Sequence, residues 1–447
     1  MLKQITFAIL AALIIIPSSA HAEVDGTVSL KDTVEKAVKH HPAIKSLLFN
    51  REAQSHNLAA ALGRFFPSLD LTGEFGLQRY NSSSARSADT ENRERTASDT
   101  TLTLTQNIFD GLDRINDFQG SGARLESAEH RLQDNVEVIG LDAIRAHIDV
   151  VRERRLLALA EENVEAHLEV LDSIAERVAG GAGSLADEMQ ARGRVARAET
   201  TLIEYVVNLR IAEAAYARAT GETPQFLADS QYMPELAPDS LEGLLAVSLV
   251  QNPRIKTFEA DLLATTKDKN VTRSSMMPTV DIELSARYTD QLDGSETYLR
   301  DEKAMLAFSW NLFNGGQDYK DLQSASARVR EAREELRDQV EETTQEAAVA
   351  WTEYQTALGQ IVKHQEAVQY SMQTRDMYLM QFNVGQRSLL DVLDSINEVF
   401  SNSVLLETSN SNRDFGLYRI LALEGELIKT LEVSDKAYEQ FPEEPLS

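Results

Sequence analysis

The sequence lacks several features on which other classes of protein depend. None of its 447 residues is cysteine, which excludes disulfide bonds, thiolate metal sites, thiol catalysis and a lipid-modified N-terminal cysteine. After residue 16 no stretch approaches the ~20 apolar residues that a membrane-spanning helix needs. Any insertion into a membrane is therefore expected to use strands. No proline occurs in residues 68–223 or 279–441, so helices there can run without interruption.

Motifs of catalysis and of phosphate binding are also missing. The eight histidines are scattered and form no His-x-x-x-His pair. There is neither a Gly-x-Ser-x-Gly elbow nor a glycine-rich phosphate loop with its lysine. We therefore predict that the protein is not an enzyme, that it needs no cofactor and that it holds no metal ion.

Positive charge is scarce relative to negative charge. The chain carries 44 Lys and Arg against 71 Asp and Glu, a formal net charge of −27. Nucleic acids and anionic lipids are bound through basic patches, so this balance argues against both as partners and makes cations the natural counter-species. Many periplasmic proteins are acidic only to stay soluble, so the charge alone does not identify a function.

The first 22 residues predict export. Lys3 precedes an apolar stretch from Ile5 to Ile16, and a short segment rich in small residues follows up to Ala22. This order is typical of a secretory signal peptide, so residues 1–22 are expected to be removed and the mature chain to start at Glu23.

The chain is an internal duplication. Landmarks of the first half return in the second half at an offset of 211 residues and then, after one loop, of 204 residues. They are His41-Pro42 with Asn252-Pro253, Pro67 with Pro278, Asn107 with Asn311, Ser184 with Ser388, and Gly221 with Gly425. Such a register is not expected by chance. We predict a first repeat at 23–226, a linker at 227–240, a second repeat at 241–432 and a C-terminal tail at 433–447.

Each repeat contains one predicted β-hairpin, at 68–109 and at 279–313. Apolar and polar residues alternate along its strands, and this period of two predicts one apolar and one polar face, as in strands of an outer-membrane barrel. The polar segment 81–99 is expected to be an exposed, mobile loop. A half-buried sheet of a soluble domain shows the same alternation, but the remaining helical chain leaves nothing to cover this sheet.

Four strands cannot close a barrel, and an open sheet edge in lipid leaves backbone groups unpaired. We therefore predict that several chains share one barrel, and that three copies supply twelve strands. The polar faces are expected to turn toward the lumen and to place Asp70, Glu74, Asp281 and Glu283 there.

Two very long helices are predicted at 114–179 and 317–382. In the first, apolar residues recur at alternate steps of four and three from Leu132 to Val178, with Glu153 and His167 as the polar exceptions, which is a coiled-coil seam. Each helix would be about 100 Å long at 1.5 Å per residue. Because both helices are highly charged, we expect them in the periplasm and not in lipid.

Each long helix ends at a turn that contains glycine, at 180–184 and 384–387, and each return helix opens with Ser-x-x-Asp. For Asp187 and Asp391 a capping box is a sufficient explanation. Capping does not explain Asp394, which lies one turn beyond Asp391 on the same helical face. In a three-fold assembly the latter pair would place six carboxylates around one axis, and such rings select cations.

The stretch from Phe382 to Asp394, together with the duplication, closely resembles the TolC-type outer membrane efflux and secretion family over essentially all of the mature chain. The resemblance implies a mainly α fold with a small β part, a TolC-like trimeric α/β-barrel with a helical periplasmic tunnel. It implies that Asp391 and Asp394 narrow the entrance, and that Asp187, Phe382 and Arg387 belong to a latch network. The family often has a tyrosine at position 382, and its hydroxyl is missing here.

The resemblance also implies partners. In this family the periplasmic tip docks onto an adaptor protein of an inner-membrane pump. The residues implied in docking are Gly180, Gly181, Gly183, Ser184, Val384, Gly385, Ser388 and Leu389. The expected partners are two further copies of the chain, a periplasmic adaptor (membrane fusion protein), an inner-membrane ABC or proton-driven transporter and outer-membrane lipid, with no nucleic acid.

These features predict the exit duct of a tripartite export machine in the cell outer membrane, which passively conducts substrate to the outside. The stretch from Gly315 to Tyr354 resembles members of type I secretion systems that export large adhesins, which favours protein secretion. Efflux of drugs or other small molecules is the alternative. A soluble periplasmic coiled-coil scaffold is a remote one, because it leaves the four strands unexplained.

Overall fold

The computed structural model describes residues 27–87, 89, 91–230 and 232–434. The predicted signal peptide and nearly all of the predicted tail lie outside the described residues. The α-helices of the described residues are α1 (Leu30–His40), α2 (Pro42–Gly63), α3 (Ser83–Ser87), α4 (Asp113–Ala179), α5 (Leu185–Thr220), α6 (Leu241–Gln251), α7 (Pro253–Ser274), α8 (Gln317–Asn383), α9 (Leu389–Glu424) and α10 (Leu427–Thr430). The strands are β1 (Thr27–Val28), β2 (Ser68–Arg79), β3 (Glu94–Phe109), β4 (Phe226–Leu227), β5 (Thr279–Asp290) and β6 (Tyr298–Ser309).

Four long helices dominate the fold. Helices α4 and α8 each contain 67 residues, and the return helices α5 and α9 each contain 36. Each of the two second-half helices begins 204 residues after its first-half counterpart, which confirms the predicted duplication and the mainly α fold. At 1.5 Å per residue, α4 and α8 are about 100 Å long. Within the described ranges, no helix is both long enough and apolar enough to cross a membrane.

Local sequence sets the ends of the return helices. The Ser184 hydroxyl accepts a hydrogen bond from the amide two residues later (3.2 Å), and the Ser388 hydroxyl accepts one from the amide three residues later (3.2 Å). These bonds satisfy amides that an isolated helix start leaves unpaired. Gly221 and Gly425 end α5 and α9 with φ of 79° and 70°, a left-handed conformation that glycine adopts without strain.

The four longer strands form one antiparallel sheet in the order β2-β3-β5-β6. Pairing of β3 with β5 joins the two hairpins, and β2 and β6 are the edges. The register places Leu69 opposite Leu104 and Leu104 opposite Leu284, so apolar residues of neighbouring strands share one face. A register shift between Asn107 and Phe109 interrupts the β3 ladder near its end.

The first hairpin spans the predicted residues 68–109, but its second strand is longer than the sequence indicates. Strand β3 begins at Glu94, inside the polar segment that is expected to be a loop. Arg95 on this extension donates hydrogen bonds to the carbonyls of Gly294 (3.1 Å) and Ser295 (2.7 Å). The Arg95 side chain is only 10% exposed, so the loop of one hairpin is tied to the loop of the other.

The second hairpin is shorter than the predicted span, because β6 ends at Ser309. The indole N–H of Trp310 donates to the carbonyl of Met276, in the connection that precedes β5 (3.1 Å). The side chain of Asn311 then accepts a hydrogen bond from the Phe313 amide (3.2 Å). These bonds hold residues 310–313 in an irregular segment that leads into α8, although their apolar alternation continues that of the strand.

The largest apolar core lies where α1, α2, α9 and α10 pack against α4. Val34, Ile144 and Leu427 are each 0% exposed there. Gly140 makes this packing possible, because a Cβ at that position would lie 2.9 Å from the Cδ1 atom of Ile428. This core holds the short helices α1 and α10 against α4.

Glu137 ties the short helix α10 to α4. Its carboxylate oxygens accept hydrogen bonds from the amides of Leu427 (3.2 Å) and Ile428 (3.4 Å). The residue is 7% exposed. Burial raises the pKa of Glu137 from 4.5 to about 8, although the two hydrogen bonds act in the opposite direction.

Because Glu137 is buried with a raised pKa, we predict that the stability of the folded chain depends on pH. Its pKa in the folded chain lies above the unfolded value, so its contribution is fully present below pH 4.5 and is lost as the pH rises through about 8. We expect this group to lower the free energy of unfolding by up to about 1.4 kcal/mol for each pH unit in that window. Glu137→Gln, which stays neutral, should remove this component. Thermal unfolding of both proteins at several pH values measures it.

Glu432→Gln is the matched control, because that side chain is 86% exposed and belongs to the same C-terminal segment. The control should keep the pH slope of the unmodified protein. Equal slopes for Glu137→Gln and the unmodified protein would contradict the assignment.

Candidate functional site

The ends of the long helices that lie away from the sheet form one packed unit. A cluster that we call the tip core joins the two hairpins α4-α5 and α8-α9. Its buried members are Val170, Leu171, Ile174, Ala191, Val195, Leu389, Val392, Leu393 and Ile396. Because residues of both repeats share this core, the geometry of one tip depends on the other.

The two tip turns are built around glycine. Gly181 and Gly385 have φ of 77° and 78°, which favours glycine. At Gly183 a Cβ would lie 2.8 Å from Val178, so the turn also needs a residue without a side chain there. Val384 is 68% exposed at the second turn.

Seven of the eight residues implied in docking are exposed, and Leu389 is the exception. Leu389 is 6% exposed and packs in the tip core. The structure therefore does not support a docking role for Leu389. The next residue, Leu390, is 44% exposed, because successive positions of a helix point in different directions.

Asp391 and Asp394 both have arginine partners within the chain. The Asp391 carboxylate accepts a hydrogen bond from the Ser388 hydroxyl (2.9 Å), and its Oδ2 lies 3.4 Å from the Nε atom of Arg387. Asp394 Oδ1 accepts a hydrogen bond from Arg194 Nη2 (2.7 Å). The side chains of Asp391 and Asp394 are 43% and 56% exposed, so ions in solution can reach both.

The residues of the implied latch do not meet within one chain. The ring of Phe382 lies beneath the guanidinium of Arg177, whose carbon is 4.6 Å from the ring centroid. Arg387 lies over the ring of Tyr378 (3.8 Å to the centroid). Asp187 is exposed and forms no ion pair with the rest of the described chain. A network of Asp187, Phe382 and Arg387 therefore stays a prediction that requires a neighbouring copy.

Sequence reasoning missed the three residues that surround these positions. Arg177 also donates from Nη2 to the Asn383 side chain (3.1 Å), which joins the end of α4 to the end of α8. Arg194 contacts Asp394, and Tyr378 contacts Arg387. For Arg177 a weak signal exists, since basic residues favour the last turn of a helix. No sequence signal pairs Arg194 with Asp394, because the pair forms only when two hairpins pack together.

The polar face of the sheet brings the predicted lumen residues together. Asp70 lies opposite Thr103 and Thr103 opposite Ser285, which places the even positions of β2 and the odd positions of β5 on one face. Glu74, Asp281 and Glu283 share this face by the same register. The Asp281 carboxylate accepts a hydrogen bond from the Asn107 amide group (2.7 Å). The opposite face carries Leu69, Leu104 and Leu284 side by side.

The buried histidines of α4 are structural. His147 is 0% exposed, and its ring nitrogens lie 2.8 Å from the Thr33 hydroxyl and 2.7 Å from the Ala228 carbonyl. Burial lowers the pKa of both His147 and His167, so both are neutral near pH 7. Across the described ranges, no three His, Asp or Glu side chains are grouped so that they could hold a metal ion. The chemistry of the tips therefore depends on their charged side chains and on the shape of their turns.

Similarity to known proteins extends over most of the chain. A family model described as outer membrane efflux protein matches residues 33–222 and 244–415. The chain is 22% identical to the outer membrane efflux protein BepC of Brucella suis over 400 residues, which are 89% of this chain and 86% of that protein. It is 21% identical to the outer membrane protein TolC of Escherichia coli over 431 residues, covering 90% and 83% of the two chains.

Structural similarity is equally extensive. The fold matches the crystal structure of the CmeC outer membrane channel of Campylobacter jejuni with a TM-score of 0.78. The match covers 89% of this chain and 86% of CmeC, at 15% sequence identity. At this level of identity the likeness supports the fold alone.

Proposed function

Because the chain belongs to the outer membrane efflux protein family, as its resemblance to TolC-type members predicts, we propose that it forms the outer-membrane channel of an export machine. Three copies assemble into a β-barrel in the outer membrane and a helical tunnel in the periplasm. The tunnel conducts substrate passively, and an inner-membrane ABC or proton-driven transporter supplies the energy.

The observation that carries this proposal is a four-stranded sheet whose two faces are both exposed. On its apolar face Leu71, Phe75 and Leu306 are 71%, 82% and 69% exposed, which is unfavourable in water. The unpaired edges of β2 and β6 are unfavourable in lipid. Pairing of β2 with β6 of a neighbouring copy removes the unpaired edges. Three copies then close a barrel whose apolar face lies against lipid. Its lumen carries Asp70, Glu74, Asp281 and Glu283.

Exposed apolar residues along the long helices support the same assembly. Ile203 and Ile211 on α5 are 64% and 63% exposed, and Tyr370 and Met380 on α8 are each 63% exposed. Isolated exposed residues are ordinary on a protein surface. Here they lie along extended helices, about 54 Å long for α5 and about 100 Å long for α8. We propose that they pack against neighbouring copies in the tunnel wall.

At the periplasmic end, Asp391 and Asp394 form the narrow, cation-favouring entrance. Asp187 is exposed, so it can complete the latch with Arg387 of a neighbouring copy, while Phe382 contributes packing. The exposed turn residues Gly180, Gly181, Gly183, Ser184, Val384, Gly385 and Ser388 dock the adaptor. Adaptor contacts that favour separated tips would open the entrance, since a partner that binds both states equally shifts nothing.

We propose that the cargo is a protein, exported as in type I secretion. The stretch from Gly315 to Tyr354 supports this, because it resembles members of type I secretion systems. Small-molecule efflux is the second candidate, because the relative BepC is named an efflux protein. Deletion of the gene distinguishes the two. Loss of a secreted protein from the medium with unchanged drug susceptibility supports secretion, and the converse supports efflux.

Native mass spectrometry of the protein extracted from outer membranes, followed by planar-bilayer recording, tests the channel itself. We expect a trimer that inserts and conducts. A stable monomer, or a protein that salt washes release from membranes, would contradict the proposal and favour a soluble scaffold.

A further inference from the structure

The Asp394 carboxylate is held by an arginine from the other repeat. Arg194 Nη2 donates to Asp394 Oδ1 at 2.7 Å, and this bond links α5 to α9. The Arg194 side chain is 25% exposed and the Asp394 side chain is 56% exposed. The arginine is the more enclosed partner, beside the tip core, and the carboxylate is the partner that ions can reach.

The duplication does not repeat this pair. The residue 204 positions before Asp394 is Gln190, and the residue 204 positions after Arg194 is Glu398. The reverse pair, with an arginine on α9 and a carboxylate on α5, therefore cannot form at these positions. Each chain forms the arginine–carboxylate bond at Asp394 on α9, and Asp394 belongs to the proposed entrance.

We propose that Arg194 is a specificity-determining residue that compensates the charge of Asp394 at the entrance. The inference rests on the proposed function and deepens it. Three copies bring six entrance carboxylates together, and each Asp394 then carries an arginine from the opposite repeat beside it. Arg194 thereby sets the affinity of the entrance for divalent cations below the value that its carboxylates alone would produce.

The size of the effect follows from the geometry. A charge-assisted hydrogen bond of this length is strong, but the exposure of Asp394 weakens it through solvent screening. Neutralising Arg194 should therefore lower the Mg²⁺ concentration that half-blocks the channel by about two- to fivefold, the range that partly exposed ion pairs produce.

The test uses the full trimeric protein in planar bilayers with Mg²⁺ as the probe. Recordings in about 1 M KCl, where the Debye length is about 3 Å, suppress long-range effects of any removed charge. Arg194→Gln and Arg194→Met both neutralise the side chain, and Arg194→Lys keeps its charge. Arg192→Gln is the matched control, because Arg192 lies on the same helix but pairs with Glu188 (2.8 Å).

We expect tighter Mg²⁺ block in the two neutral variants and unchanged block in Arg194→Lys and Arg192→Gln. In an Asp394→Asn background the Arg194→Gln change should have no further effect, because its target is gone. Unaltered block in both neutral variants, or an equal effect in the Asp394→Asn background, would overturn the assignment of Arg194. An unmodified trimer that does not conduct would instead overturn the proposed function, and this inference with it.

Discussion

Replacing both entrance aspartates, Asp391→Asn and Asp394→Asn, is expected to abolish the cation preference of the reconstituted channel. Six carboxylates would be lost from one narrow ring, and acidic rings of this kind select cations by direct electrostatic attraction. We expect the permeability ratio of K⁺ to Cl⁻ to approach the ratio of their bulk mobilities. Half-block by Mg²⁺ should need at least about tenfold more Mg²⁺, the factor that corresponds to 1.4 kcal/mol. Reversal potentials and block curves in planar bilayers measure both.

The matched control removes the same number of charges from the end of α4. Asp172→Asn with Glu176→Gln changes two exposed carboxylates that lie close to the first tip turn. This control should keep both selectivity and block. If the entrance variant retains the selectivity of the unmodified channel, the ring is not the narrowest point of the conduit.

Arginine on the apolar face of the sheet is expected to prevent assembly in the outer membrane. Leu104 lies on the central strand β3 between Leu69 and Leu284. In a barrel this position faces lipid, where an arginine near the midplane costs about 2–4 kcal/mol per copy. In a trimer this unfavourable free energy is incurred once in each of the three copies. We expect Leu104→Arg to be absent from the outer-membrane fraction and to give no trimer in native mass spectrometry.

The neighbouring residue provides the control. Thr103 lies on the opposite face, between Asp70 and Ser285. Thr103→Arg adds the same side chain to the polar face, where water and a carboxylate are available, so it should assemble as a trimer. Equal assembly of both variants, or equal failure, would mean that the two faces of the sheet do not meet different solvents.

Much of the fold was predictable because its signals are local and repetitive. The alternation at Leu69 and Leu71, the absence of proline from 68–223 and the glycines at Gly221 and Gly425 each act through their own backbone and near neighbours. The same periods occur in both halves, so each element was indicated twice. Locally determined features of this kind are those that a single sequence expresses most directly.

The details of the site were less predictable. Leu389 was expected at the docking surface, but it packs in the tip core, because the direction of α9 relative to α4 and α5 decides which residues of its first turn are covered. Asp187 was placed in a latch with Arg387, yet within one chain Arg387 contacts Tyr378 and Asp391. A stacked aromatic ring and a nearby carboxylate leave this guanidinium with partners of its own.

The sequence by itself therefore determined the elements of this protein: two hairpins with an apolar and a polar face, two uninterrupted helices and two glycine turns with serine caps. These depend on periodicity and on bonds between residues at most a few positions apart. Only the tertiary structure decided which distant groups meet, such as Arg194 with Asp394 and Glu137 with Leu427. Those contacts arise from the packing of whole helices against one another, and that packing depends on the summed burial of many side chains, which no local pattern encodes.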